Sequence, residues 1–276
     1  VMSGNDACVV VAEGLAGTEE AFARLMNERA EDLGLENSHF VNASGWPHPE
    51  HRMSMEDLGR LATRLITEFP AFYEYFGMSE YAFDGRAPDN RFNRNPILAL
   101  GLGADGLKTG HTQEAGYGLV GSAKQGTRRV VFVITGLDSP EARAEESERI
   151  INWAFRQFVE RTVAEKDTVL AEADVWMGAA DRVGLAAPEE YRLLIPALVR
   201  GQLEGEIVWR GPVEAPVAKG QHLADLVVAP DGLPESVLPL VADRDVPRGG
   251  FLPRVRTAAE VLYRRFVGPG GLPDPI

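Results

Sequence analysis

A chain of 276 residues with 45% hydrophobic and 25% charged positions has an ordinary globular balance and is long enough for one large or two ordinary domains. Its net charge of -13 repels polyanions on average, which argues against nucleic acid as a partner. No run of about twenty apolar residues is present to cross a bilayer as a helix. The single cysteine, Cys8, cannot close an internal disulfide, so cysteine usage leaves the redox compartment open, and by type Cys8 reads as a small buried apolar residue. The chain begins Val1-Met2-Ser3-Gly4-Asn5, with neither an initiating Met nor a secretory leader, and this reads as a cut inside a longer protein.

Ala7 to Ala12 is a short apolar run that periodicity cannot assign between a buried strand and a buried helix. Thr18 is a natural cap for a helix carrying Phe22, Leu25, Met26 and Leu33 at three- and four-residue intervals, with Gly34 as the stop. After the turn-rich loop Asn42 to Pro47, Ser54 and Asp57 form a capping-box-like start for a helix bearing Met55, Leu58, Leu61, Ala62, Leu65 and Ile66, which Pro70 ends. His48 and His51 would need a helix to converge on a metal, and Pro47 and Pro49 prevent one, so both read as solvated loop residues. Glu80 to Phe83 alternates as a strand would, and Asp84-Gly85 and Pro88-Asp89-Asn90 are turn chemistry.

Between Gly106 and Ile134 the pattern predicts two or three antiparallel strands, turning at Lys124 to Thr127 on Gly126. Ser139 and Pro140 open a long helix with Ile150, Ile151, Ala154, Phe155 and Phe158 on its apolar face. From about Thr168 the texture changes to short strand-like runs, at Arg192 to Ile195, Gly205 to Trp209 and Leu223 to Val228, which suggests a small all-β domain. The expected organisation is therefore residues 1–164, then a β-rich unit 165–247, then a tail 248–276. In the tail Arg248, Arg254, Arg256, Arg264 and Arg265 stand against Glu260, with Phe251, Val255, Ala258, Ala259, Leu262 and Phe266 at helical spacing. Such a basic amphipathic helix can lie on an anionic bilayer or pack on the protein with its arginines in water.

Chemistry concentrates at Leu107-Lys108-Thr109-Gly110-His111-Thr112. Lys108 and Thr109 can hold a carboxylate by charge and hydrogen bond, while Gly110 puts no side chain between a strand edge and an incoming peptide. Ser3-Gly4-Asn5 upstream and Lys108-Thr109-Gly110 downstream match two of the three marks of penicillin-binding and serine β-lactamase enzymes. The third, Ser-x-x-Lys, is absent, because no serine from Ser3 to Ser236 has a lysine three positions later.

With Asn93-Arg94-Asn95, Ala115-Gly116-Tyr117 and Arg143 to Ser147 added, the chain resembles the serine-type D-alanyl-D-alanine carboxypeptidases, the low-molecular-mass penicillin-binding proteins. Trp176, Asp181-Arg182, Leu185 and Ile195-Pro196 resemble the family's second domain, and Val246 to Phe251 resembles the lead-in to its membrane-anchoring helix. The implied fold is α+β: a penicillin-binding-protein/β-lactamase-like transpeptidase domain with an antiparallel sheet, lacking its N-terminal part, then a small all-β domain and a C-terminal amphipathic helix.

The resemblance implies a cell-wall hydrolase that removes the terminal D-Ala from peptidoglycan stem peptides through a serine acyl-enzyme, with no cofactor or metal. β-Lactam antibiotics would be inhibitors, and the location would be periplasmic, peripheral on the outer face of the bacterial inner membrane through residues 248–276. Transferred residue by residue, Ser3 is a proton relay, Asn5 a ligand of the substrate amide, and Lys108 the cationic group of the site. Thr109, Gly110 and the His111 backbone line the substrate edge, and Arg143 is a second carboxylate anchor. Without the resemblance Arg143 could pair with Glu146 or Ser147 on a helix surface. Glu68 falls where an acidic residue assists deacylation in some relatives, and Ser44-Gly45-Trp46 departs from the usual loop residues. The alternatives are a β-lactamase or D,D-endopeptidase of the same fold, or a non-catalytic peptidoglycan-binding fragment.

Overall fold

A computed structural model of the chain describes residues 1–83, 85, 88–198, 204–229 and 233–250. It divides into two units, Val1–Arg156 and Gln157–Ile276. In the first, α1 (Asn5–Ala16), α2 (Glu19–Asp32), α3 (Met55–Glu68) and the single turn α4 (Pro70–Tyr73) precede three strands, β1 (Ala104–Thr112), β2 (Gly116–Gln125) and β3 (Arg128–Leu137), and then α5 (Pro140–Gln157). The strands form an antiparallel sheet in the order β1-β2-β3, with Gly126 at φ 61° in the β2–β3 turn.

Period-two alternation decides the layers. Leu107, Val120, Val131 and Val133 cluster with Leu58, Ala62 and Leu65 of α3 on one face. Leu119, Phe132 and Ile134 cluster with Ile97 and with Ile151 and Phe155 of α5 on the other. A partly buried polar group braces the first face, where Asp105 accepts from Tyr73 Oη at 2.8 Å and from both terminal nitrogens of Arg129 at 2.8 and 2.7 Å.

The capping signals act as the residue types require. Thr18 Oγ1 accepts from Ala21 N–H at 3.1 Å, Ser54 Oγ from Asp57 N–H at 3.0 Å, and Ser139 Oγ from Ala142 N–H at 3.0 Å. The box at Ser54 closes differently from the expected pattern. Asp57 is wholly buried and accepts instead from Asn37 N–H at 2.8 Å and Ser38 Oγ at 2.7 Å, while Ser38 Oγ accepts from Ser54 N–H at 3.2 Å. Burial works to raise the Asp57 pKa, but the hydrogen bonds from Ser38, Asn37 and Ser54, with the Arg60 charge, outweigh it and hold the carboxyl below its usual range.

Several local expectations are corrected. Ala7 to Ala12 is helical, inside α1, and Cys8 is exposed rather than buried. It lies on an outward stripe with Val11 and Leu15, which are 53% and 71% exposed. Glu80 to Phe83 makes one isolated bridge, Glu80↔Phe92, because the facing segment Pro88–Arg91 winds into a 3₁₀ turn that cannot extend a ladder.

The regular elements of the second unit among the described residues, after the end of α5, are all strands: β4 (Phe158–Ala164), β5 (Val169–Trp176), β6 (Arg182–Ala186), β7 (Tyr191–Pro196), β8 (Gly205–Trp209), β9 (Val213–Glu214), β10 (His222–Val228) and β11 (Ser236–Ala242). A six-stranded sheet runs β8-β10-β11-β6-β5-β9, and β4 pairs with β7. That pairing places residues 158–164, Phe158 included, with the β unit, so the division falls at Arg156/Gln157 rather than after residue 164. Val183, Leu185, Leu240 and Ala173 are wholly buried in its core. The expected amphipathic tail lies outside the described residues from residue 251 onward. Among the described residues no helix is long and apolar enough to cross a membrane.

Candidate functional site

Among the described residues of the first unit β1 is an edge strand, paired to β2 alone in its sheet. Its open side borders a cavity of about 1030 Å³. Seven residues expected from the sequence line it: Ser3 and Asn5 at the start of α1, Lys108, Thr109, Gly110 and His111 along β1, and Arg143 from α5. Gly110 has ordinary negative φ, and a Cβ built there meets no atom within 4 Å, so the fold itself does not require a glycine. The space it leaves belongs to the cavity. Opposite it across the ladder is Gly118, and His111 stacks on its cross-strand partner Tyr117 with ring centroids 3.9 Å apart.

The charges explain why the cavity suits an anion. Lys108 Nζ donates to the Thr109 carbonyl, and its side chain is open to the cavity. The enclosing protein still withdraws bulk water from it and, with the Arg94 and Arg143 charges adding, holds its ammonium pKa below the usual lysine range against the opposing Cys8 thiol. Arg143 is 8% exposed, sits 5.6 Å from the Tyr117 ring centroid, and donates to the Arg94 carbonyl at 3.4 Å. Burial, then the Arg94 charge, lowers its pKa, and its Nε is buried without a hydrogen-bond partner among the described residues.

Surface pairing of Arg143, the alternative that the sequence leaves open, does not occur. Glu146 bonds Arg149, and Ser147 Oγ donates to the Arg143 carbonyl at 2.6 Å. Three cations thus converge on a cavity in an acidic protein, and none of them forms an ion pair with a carboxylate among the described residues.

A further wall comes from the loop after α2. Asn42 Oδ1 accepts from the backbone N–H groups of Ser44, Gly45 and Trp46 at 3.2, 2.7 and 3.0 Å, and its Nδ2 donates to the Trp46 carbonyl at 2.8 Å. This presents Ser44 and the 68% exposed Trp46 to the cavity. Sequence reasoning passed over Asn90 and Arg94 as site residues, although both line the cavity. The sequence signals are slight: Asn90 lies in turn chemistry, and Arg94 lies in the Asn93-Arg94-Asn95 run that contributes to the family resemblance.

Two other expectations are not met. Glu68 pairs with Arg64 at 2.7 Å in the last turn of α3 and does not line the cavity. His51, expected to be solvated, accepts from Val41 N–H at 3.3 Å and packs edge-on against Phe40, and this burial lowers its pKa. Among the described residues no group of three or more His, Cys, Asp or Glu could hold a metal ion.

A family profile described as D-alanyl-D-alanine carboxypeptidase matches residues 1–139, and one described as the penicillin-binding protein 5 C-terminal domain matches residues 158–248. The chain belongs to the D-alanyl-D-alanine carboxypeptidase family. It is 32% identical over 270 residues to the D-alanyl-D-alanine carboxypeptidase DacA of Escherichia coli K12, covering 97% of this chain and 66% of that protein. The chain therefore spans about two thirds of that curated relative's length.

Among solved structures it resembles penicillin binding protein 5 from Haemophilus influenzae at 29% identity, with a TM-score of 0.76 over 89% of this chain and 72% of that one. Penicillin-Binding Protein D2 from Listeria monocytogenes in its cefotaxime-bound form is 31% identical at a TM-score of 0.50, over 56% of this chain and 62% of that one. The expected α+β penicillin-binding fold followed by an all-β domain is the one observed.

Proposed function

We propose that the cavity binds the carboxylate end of peptidoglycan stem peptides ending in D-Ala-D-Ala, as part of a serine D-alanyl-D-alanine carboxypeptidase. The observation that carries this reading is the convergence of Arg94, Lys108 and Arg143, free of carboxylate partners among the described residues, beside an edge strand left open at Gly110. A peptide adds alongside β1 by backbone hydrogen bonds. Its terminal carboxylate meets Lys108, Thr109 and Arg143.

In this reading the hydroxyl of a serine outside these 276 residues attacks the carbonyl carbon between the two D-alanines, the C–N bond breaks, and D-Ala leaves with a proton relayed by Ser3. Asn5 holds the substrate amide, and the His111 N–H supplies half of an oxyanion site. Water then hydrolyses the ester and restores the serine. The family's Ser-x-x-Lys is not in this sequence, so labelled penicillin, whose ring would acylate that serine, should form no covalent adduct with the 276-residue chain. An adduct would overturn the assignment of the nucleophile.

The test of the site is calorimetric binding of an N-acylated tripeptide ending in D-Ala-D-Ala, as free acid and as C-terminal amide. The free acid should bind at least about tenfold more tightly, the value of one charge-assisted hydrogen bond. Equal affinities would sink the carboxypeptidase reading. We also propose that the protein works at the outer face of the bacterial inner membrane, with residues 248–276 on the anionic lipid surface. The support is the arginine and apolar spacing of the tail. Flotation with anionic liposomes should be lost when the tail is removed, and unchanged flotation would reject the contact.

A further inference from the structure

Asn90 has no task in the acyl-transfer scheme above and Arg94 only adds charge to it, yet both border the cavity and both donate to one acceptor. Asn90 Nδ2 lies 3.0 Å and Arg94 Nη2 3.3 Å from the carbonyl oxygen of Met2. The residue after that carbonyl is Ser3, whose φ of 58° is left-handed, a region that a serine enters only when its surroundings hold it there. Gly4, at the cap position of α1, offers no side chain to fix the turn. On its other side Arg94 accepts the Arg143 hydrogen bond at its own carbonyl. It therefore touches the Ser3 wall through its side chain and the carboxylate anchor through its backbone.

We propose that Asn90 and Arg94 are positioning residues: bonded together to the Met2 carbonyl, they lock Ser3 in its left-handed conformation and set the Ser3–Asn5 wall against the β1 wall. A carbonyl oxygen has two lone pairs, so two donors can share it without competing. The two residues divide the work. Asn90 is neutral and contributes geometry alone. Arg94 contributes geometry together with a positive charge facing Lys108, which is also faced by Arg143, the Cys8 thiol and the Val1 amino group.

The part of this inference that concerns ligand rests on the D-Ala-D-Ala reading, whereas the clamp on Ser3 does not. It is tested on the whole 276-residue chain by NMR, using the φ-sensitive Cα and Cβ shifts of Ser3 in wild type, Asn90→Ala, Arg94→Gln and Arg94→Lys. The first two substitutions should move Ser3 toward extended values, and Arg94→Lys should keep it closer to wild type. Left-handed shifts retained in both Asn90→Ala and Arg94→Gln would overturn the clamp.

The peptide supplies a second readout. Asn90→Ala should weaken binding of the N-acylated D-Ala-D-Ala tripeptide about tenfold with an unchanged pH profile, the loss of one positioning hydrogen bond. Arg94→Gln should weaken it and also move the alkaline loss of binding to higher pH, because Lys108 then keeps its proton longer; Arg94→Lys should restore the wild-type limb. Wild-type affinity and pH profile in both Asn90→Ala and Arg94→Gln would also overturn the proposal. A wild-type chain that binds no peptide at all would sink the substrate reading while the Ser3 shifts still decide the clamp.

Discussion

In the β unit Ala173, Val183, Leu185 and Leu240 are wholly out of water around one core, whereas the first unit splits its apolar side chains between two faces of a three-stranded sheet and leaves Val10, Val11 and Leu15 exposed on α1. The polar groups differ in the same sense. The first unit holds Lys108, Arg94 and Arg143 near one another without a carboxylate partner among the described residues, an arrangement that repels itself, while the second carries ordinary surface pairs such as Arg192 with Glu190 at 2.6 Å. One unit is arranged for closure. The other keeps an open strand edge and an unbalanced charge, which a carboxylate ligand would neutralise.

The largest effect should come from breaking the closed core. Leu240→Ala, at a position with no exposure, is expected to cost about 2–5 kcal/mol, read from urea denaturation of the β signal. A loss under about 1 kcal/mol would mean that the site collapses freely and that the contrast with the first unit is overstated.

Next come the cations. Lys108→Met should lower affinity for the free-acid peptide about 10- to 100-fold, the range for a hydrogen bond to a charged group. The same change should leave the thermal midpoint unchanged or higher, because it removes a like charge facing Arg94 and Arg143. The pH dependence follows from the protonated form being the binder: affinity is full below the depressed Lys108 pKa and falls as pH rises through it, earlier than for an ordinary lysine. A midpoint that drops sharply in Lys108→Met would show the lysine to be structural.

Gly110 separates fold from site more finely. Because a Cβ there meets nothing, Gly110→Ala should change stability by no more than about 0.5 kcal/mol while peptide affinity falls about tenfold. Gly121 is the internal control, since a Cβ there would overlap the Phe132 ring, and its substitution should damage folding instead. If Gly110→Ala bound the peptide as well as wild type, the strand-addition geometry along β1 would be wrong.

Much of the frame was legible in the sequence because local chemistry dictates it. Thr18, Ser54 and Ser139 cap the helices they announce, and Gly126 turns the hairpin expected between Gly106 and Ile134. What escaped depends on partners distant in the chain. Asp57 read as a helix-start residue, but its carboxylate bonds Asn37 and Ser38 across a loop. The Tyr73–Asp105–Arg129 group joins a helical turn to two strands, and burial, with Asp105 adding, pushes the Tyr73 phenol up to about 12. Cys8 was misread because residue type alone says nothing of which face of α1 it occupies. The site followed the same rule: the residues on one strand and one helix start were found together, while Asn90 and Arg94 reach Met2 from far along the chain.

The smallest expected effect probes the exposed side of the contrast. Cys8, Val11 and Leu15 recur at i, i+3 and i+7 on the outward stripe of α1, so Val11→Ser with Leu15→Ser changes side chains that are 53% and 71% exposed. Removing these largely exposed apolar groups forfeits little buried area, and the stability of the chain should move by no more than about 0.5 kcal/mol. Binding of an apolar fluorescent dye should fall in parallel, because a contiguous apolar stripe is what such a dye detects. If the double substitution instead cost as much as Leu240→Ala, the stripe would be packed against something in solution, and the first unit would be as closed as the second.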